Sequence, residues 1–246
     1  MIHLKSPAEL KKMREAGVLL VQALEASEPL IQPGTSTEEI DHAIRDFVLE
    51  RGGKLLFFKY RGFPASTCIS INEEVVHGIP SRKRRLREGD IVSIDVGVRL
   101  GNWCSDAART FPVGSVGREA RDLLDVGRES LERGIAETRP GRRVSDISRA
   151  IQSFAEGKGF SVVREYVGHG IGRKMHEKPQ VPNYVDPGAL KDDSILRPGM
   201  TLAIEPMVNA GTHEVVKLKD DWTVVTRDGR LSVHFEHTVA VTEGSP

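Results

Sequence analysis

The sequence predicts a mixed α/β (α+β) fold built from two related halves, and three observations carry that expectation. Helical apolar periodicity opens each half, strand-like apolar runs follow it, and a Pro-Gly pair with its downstream apolar positions occurs twice at a fixed spacing. A chain of 246 residues, 39% of them hydrophobic and 28% charged, can bury a full core and is neither a disordered tail nor a fibrous repeat.

The elements follow in order. Ser6-Pro7-Ala8-Glu9 supplies an N-cap serine, a proline at the first helical position and a glutamate three residues past the cap, so a helix starts there. Leu10, Met13, Leu20 and Leu24 give it an apolar stripe that lasts to Pro29, and Pro33-Gly34 makes a turn. Ser36 and Glu39 form a second capping box, followed by Ile40, Ala43, Ile44, Phe47 and Val48 on one face and by Gly52-Gly53 as a stop. Strands are predicted over 67–72, 91–98 and 105–112, helices over 115–134 and 144–157, and strands again over 200–209 and 231–241. Pro33-Gly34 with Ile40, Ala43 and Ile44 recurs as Pro140-Gly141 with Ile147, Ala150 and Ile151, at a constant offset of 107. Arg87-x-Gly89 leads to Ile94-Asp95 as Arg197-x-Gly199 leads to Ile204-Glu205, at an offset of 110. The expectation is one domain over 1–246 whose halves, about 1–112 and 113–246, bring carboxylates together at a central cleft.

Charge excludes several functions. Lys plus Arg and Asp plus Glu are 35 each, so no overall field steers the chain to nucleic acid or membrane. The two cysteines are too few for a zinc ribbon and suit a reducing compartment. The N-terminal segment lacks an apolar signal core, and nowhere do 18 apolar residues run together, so a cytoplasmic protein is expected.

Acids in apolar strands carry the chemistry. Asp95 and Asp106 flank the hairpin turn around Leu100-Gly101 and are expected directly opposite one another on one face, with Cβ atoms about 4.5–5.5 Å apart. Two bare carboxylates there repel unless a cation lies between them or one is protonated. Glu205 interrupts the apolar run Leu202-Ala203-Ile204, and Glu236 shares a strand face with His234 and Thr238. His169 sits between glycines in Gly168-His169-Gly170-Ile171-Gly172, where backbone can approach a ligand closely. Four carboxylates and a neutral imidazole match the charge of two divalent cations. Such a pair polarises a carbonyl and makes hydroxide near neutral pH, which is hydrolytic chemistry. The oxygen-rich, thiolate-free set suits Mn, Fe, Co or Zn.

The chain resembles the type I methionine aminopeptidases over essentially its whole length. The residues that carry the resemblance are Cys68 to Pro80, the Asp95 and Asp106 segments, Gly168 to Gly172, Met175-His176-Glu177, Ile204-Glu205-Pro206-Met207 and Phe235-Glu236-His237-Thr238. The resemblance implies a pseudo-two-fold pita-bread fold, with antiparallel sheets and helices outside, and removal of initiator methionine from nascent proteins with a small second residue. It implies that Asp95 holds one metal, that His169 and Glu205 hold the other, and that Asp106 and Glu236 bridge both. Glu205 is implied to shuttle the proton of the attacking water, His77 to lie near the scissile amide nitrogen, and His176 to donate to the carbonyl oxygen. The implied methionine pocket is Tyr60, Phe63, Cys68, Met175 and Trp222, with Met175 where bacterial members usually carry Phe and Phe63 where they usually carry Tyr. The chain begins almost directly at its first helix, so the minimal bacterial-type form, a monomer, is expected. Two other readings stand beside this one: a proline-specific peptidase and a non-catalytic binding protein of the same fold. The basic run Arg82 to Arg87 reads first as a solvated loop and second as a weak ribosome contact.

Overall fold

Both expected capping boxes form. Ser6 N–H donates to the Glu9 carboxylate at 2.9 Å while Glu9 N–H donates back to Ser6 Oγ, and Ser36 and Glu39 repeat the exchange. The computed structural model describes residues 2–185 and 193–244. Its helices are α1 (Pro7–Ser27), α2 (Thr37–Glu50), α3 (Arg118–Ala136) and α4 (Val144–Gly157). Its first strands are β1 (Lys54–Leu55), β2 (Cys68–Ile71), β3 (Glu74–Val76), β4 (Ile91–Leu100) and β5 (Trp103–Pro112). The second half adds β6 (Ser161–Val162), β7 (Gly168–Gly170), β8 (Glu177–Val181), β9 (Thr201–Ile204) and β10 (Met207–Asn209). The chain then runs through β11 (Val215–Lys217), β12 (Val224–Thr226), β13 (Ser232–His234) and β14 (Glu236–Ala240).

One antiparallel sheet spans the molecule in the order β1-β4-β5-β14-β9-β7-β8, with β2 also on β4. Two three-stranded sheets, β13-β10-β6 and β11-β12-β3, lie beside it. Period-two alternation sorts the side chains of the large sheet. Val92, Ile94, Val96 and Val98 of β4 pack with Leu19, Leu20, Ile40 and Ile44 of α1 and α2 in one apolar cluster. Leu202, Ile204 and Val239 pack with Leu123, Leu131, Ile147 and Ile151 of α3 and α4 in another. The residues between them on each strand face away from the helices, and the acids are among these.

The repeat in the sequence has a counterpart in hydrogen bonding. Gly34 N–H donates to Leu86 O at 2.8 Å and Leu86 N–H to Thr35 O at 2.9 Å. In the second half Gly141 N–H donates to Leu196 O at 3.0 Å and Leu196 N–H to Arg142 O at 2.7 Å.

Two sequence expectations need correction. The long strands expected over 200–209 and 231–241 are each broken, at Glu205-Pro206 and at Phe235. Proline cannot donate to a ladder, and each break transfers the chain from the large sheet to the β13-β10-β6 sheet or the reverse. The β4–β5 turn is Gly101-Asn102, with Leu100 paired to Trp103, one residue beyond the expected centre. Asp95 therefore pairs with Ala108 and Asp106 with Gly97, so the two aspartates are diagonal neighbours on one face rather than directly opposite. Diagonal spacing, about 7–8 Å between Cα atoms, leaves more room for a cation than direct opposition does.

Candidate metal centre and substrate pocket

Adjacent strands deliver the five candidate ligands in spatial order. Asp95 comes from β4, Asp106 from β5, Glu236 from the start of β14, Glu205 from the residue after β9, and His169 from β7. Ala108 is the register partner of both Asp95 and Glu236, which puts those acids in one row across three strands. Donor atoms of Asp106, His169 and Glu236 all lie within 4.8 Å of one another. His169 Nε2 is 3.6 Å from Glu205 Oε1. His169 Nδ1 lies 2.9 Å from Gly170 O, so the ring proton belongs on Nδ1 and the Nε2 lone pair points to the acids. The glycines beside it are required sterically: a Cβ on Gly170 would lie 2.2 Å from Lys178 O, and one on Gly168 2.4 Å from Ala203 O.

Electrostatically, this cluster is unfavourable as bare protein. Burial raises the carboxyl pKa of Asp95, Glu205 and Glu236 well above the ordinary range, and mutual repulsion among the acids raises it further. Burial pushes Asp106 up to about 7. Asp95 Oδ1, Asp106 Oδ1 and Glu236 Oε1 are buried without a hydrogen-bond partner. Buried acceptors without donors are the defect that divalent cations repair, and four carboxylates with one imidazole nitrogen suit such ions.

Every residue expected at the site lines one cavity of about 210 Å³: Tyr60, Phe63, Cys68, His77, Met175, His176 and Trp222 join the five ligand candidates there. Its apolar wall is built by aromatic contacts. The Phe63 and Trp222 rings meet edge to face at 5.1 Å, and His77 is set edge-on to Tyr166 at 5.5 Å and to Trp222 at 6.3 Å. Asp41 of α2 accepts from Ser66 N–H, Thr67 N–H and Thr67 Oγ1, which pins the segment that presents Cys68. His77 holds a left-handed backbone at φ 60, a conformation non-glycine residues rarely adopt outside functional or turn positions. His176 stacks on Tyr60 at 5.5 Å and lies 4.2 Å, ring to ring, from His169, and the Tyr60 hydroxyl is 3.0 Å from its Nδ1. Burial holds both His77 and His176 down to about 4, so both are neutral at physiological pH.

Sequence reasoning missed Phe57, Arg61, Tyr166 and Val167, which also line the cavity. Tyr166 and Val167 directly precede the Gly168 motif, which was the only signal for them. His234 and Glu236 were expected on one strand face, yet the break at Phe235 puts His234 in the β13-β10-β6 sheet. Its Nε2 nevertheless comes 3.9 Å from Glu205 Oε2, and burial holds the ring down to about 3. Among the described residues no helix is long and apolar enough to cross a membrane.

An oxygen-rich centre inside paired antiparallel sheets defines a metal-dependent peptidase, and the chain belongs to metallopeptidase family M24, whose model matches residues 11–243. Its relatives carry a narrower name: methionine aminopeptidase 1 of Bacillus subtilis is 50% identical over 243 residues, covering 99% of this chain and 96% of that one. The solved methionine aminopeptidase of Thermotoga maritima superposes with a TM-score of 0.96 at 44% identity, covering 100% of this chain and 97% of that one. The prolidase of Pyrococcus furiosus shares only the pita-bread fold, with a TM-score of 0.77 at 22% identity over 98% of this chain and 63% of that one.

Proposed function

We propose that this chain is a metal-dependent aminopeptidase that removes N-terminal methionine from nascent proteins and prefers a small second residue. The observation that carries the reading is the convergence of five candidate metal ligands, from five adjacent strands, on one cavity whose remaining lining is largely aromatic and apolar. Asp106 and Glu236, from the neighbouring strands β5 and β14, would be shared by both cations, Asp95 would hold one of them, and His169 with Glu205 would hold the other. When bound, two divalent ions supply Lewis acidity toward the scissile carbonyl and lower the pKa of a water molecule. Co, Mn, Fe and Zn all suit the donors.

The protein's own groups do the rest. Glu205 takes the proton of the attacking water and returns it to the leaving amine. With the Tyr60 hydroxyl donating to His176 Nδ1, the ring proton stands on Nε2, so His176 offers a neutral donor to the developing oxyanion. His77, held neutral by burial, is placed near the scissile amide nitrogen. Tyr60, Phe63, Cys68, Met175 and Trp222 enclose the methionine side chain, whose thioether packs well against aromatic edges. Met175 for an aromatic ring gives the pocket a more adaptable wall. The reading also takes the chain as a cytoplasmic monomer of one catalytic domain, whose halves, about 1–112 and 113–246, arose by duplication. Separate apolar clusters and the repeated Gly34 and Gly141 hydrogen bonds support the duplication. The run Arg82 to Arg87 reads first as a solvated loop, with Arg82, Arg84 and Arg85 paired to Glu38, Glu74 and Glu39, and a weak ribosome contact is the second reading.

Incubating metal-loaded protein with peptides beginning Met-Ala, Met-Lys and Ala-Pro tests the activity. Methionine released from Met-Ala alone is the expected result. Release from Ala-Pro instead supports a proline-specific peptidase, and release from none a binding protein. His77→Ala and His176→Ala are each expected to lower kcat by roughly 100-fold to 1000-fold, the usual cost of a lost oxyanion donor, with metal content unchanged. Loss of metal in parallel with activity would show that these rings are ligands instead.

A further inference from the structure

The rim of the catalytic cavity carries a cluster of cations that form no ion pair among the described residues. Lys54, Lys59, Arg99 and Lys174 line a groove of about 470 Å³ together with Tyr60, Met175 and His176, and the last three line the catalytic cavity as well. Arg61 stands at the junction, lining the cavity with its guanidinium 5.4 Å from the Tyr60 ring centre. No carboxylate lines the groove. None of these five cations takes part in an ion pair among the described residues, in a chain whose net charge is zero and whose other basic residues often do. Arg99 Nε is buried without a partner, while its Nη2 donates to Arg173 O at 3.3 Å. Lys59 and Arg61 both hold left-handed backbone, at φ 64 and φ 50, so the turn that raises them to the rim carries local strain.

Unpaired like charges around a shared concavity raise the local concentration of anionic ligands. We propose that this groove receives the substrate chain downstream of its second residue and favours aspartate and glutamate there. The inference rests on the aminopeptidase reading above. Continuity favours a peptide over an RNA phosphate backbone as the occupant: Tyr60, Met175 and His176 belong to both concavities, so a chain leaving the catalytic cavity past them enters the groove.

The test compares kcat/KM of the metal-loaded full chain for Met-Ala peptides continued by acidic, glycine or lysine residues. Acidic continuations are expected to exceed basic ones by roughly ten-fold at low ionic strength, a few exposed charge pairs' worth, and the ratio shrinks at high salt. Substituting Lys54→Gln, Lys59→Gln and Lys174→Gln together, all at exposed positions, is expected to bring the ratio close to one. Equal kcat/KM across the peptides, or a preference that the triple variant keeps, overturns the proposal. So does binding of a short oligouridylate by the parent but not the triple variant when the peptides are undiscriminated, since the groove is then a nucleic-acid contact. Failure to release methionine from any of the peptides sinks the aminopeptidase reading instead.

Discussion

Replacing Asp106 by asparagine is expected to move two readouts in opposite directions: the metal-free protein becomes more stable at pH 8, and the metal-loaded protein loses most of its activity. The first effect follows from the carboxyl's surroundings. Asp106 is buried, and burial pushes its pKa up to about 7 from an ordinary 3.8. Above pH 7 the folded, metal-free chain therefore holds a charge that the unfolded chain would solvate, at a cost of several kcal/mol at about 1.36 kcal/mol per pKa unit. The same charge raises Asp95, Glu205 and Glu236, so its removal relieves all three. The asparagine Oδ1 can still accept from Ala107 N–H, as the carboxylate does. A net gain on the order of 2 kcal/mol, or about 4–8 °C in Tm for a domain of this size, is expected once the cost of the buried amide is deducted.

The second effect follows from the position of Asp106 on the middle strands of the ligand row. In the proposed arrangement Asp106 would serve both cations, so its loss is expected to cost more than the roughly 100-fold typical of removing a group that merely supports a ligand. Scanning calorimetry of chelator-treated protein at pH 8 and peptide kinetics with added Mn or Co provide both readouts. A metal-free variant less stable than the parent would mean that the carboxylates are satisfied within the protein itself. An active variant would mean that Asp106 is no ligand.

The ligand candidates were legible from local signals: Asp95 and Asp106 flank a hairpin turn, Glu205 interrupts an apolar run, Glu236 lies on the polar face of an alternating strand, and His169 sits between glycines. Residues with no such signal were invisible. Tyr166 and Phe57 are aromatic residues in irregular segments, where periodicity says nothing about direction, and only tertiary packing brings them to the cavity. The direct opposition expected of Asp95 and Asp106 failed for a more local reason. A hairpin register depends on which two residues form the turn, and placing the centre at Leu100-Gly101 rather than Gly101-Asn102 changes the cross-strand partner of every residue. The breaks at Pro206 and Phe235 were hidden because apolar residues run on through each, so the chain changes sheet without changing apparent strand character. The first two helix starts survived intact because capping is a contact between residues three apart and needs no tertiary information, whereas α3, expected from 115, begins at Arg118 without a side-chain cap.

Above pH 6.5 the stability of the metal-free protein should fall with pH while that of the loaded one stays level. Carboxyls with raised pKa keep their protons in the folded state while the unfolded chain has released them. Asp106 alone does so from about pH 4 to about pH 7, and stability falls as pH rises through that window. The buried histidines act oppositely. His77 and His176, held down to about 4, and His234, held down to about 3, are neutral when folded and protonated when unfolded below an ordinary 6.5, so stability rises with pH until the unfolded chain has lost those protons. Below pH 6.5 the two sets oppose one another and the net slope is shallow. Above it only the acids still titrate, and the metal-free Tm is expected to decline as pH rises through the Asp106 transition near 7. Bound divalent ions keep the four carboxylates deprotonated in the folded state, which removes that decline and releases protons on binding. Thermal scans of chelator-treated and Mn-loaded protein between pH 5.5 and 8.5 test the slope, and calorimetric titration of metal in buffers of different ionisation enthalpy counts the protons. A metal-free Tm that stays level or climbs above pH 6.5, with no proton release on metal addition near pH 6, would mean that the acids are ionised and satisfied without a cation. The carboxylate row would then lose its reading as a metal site.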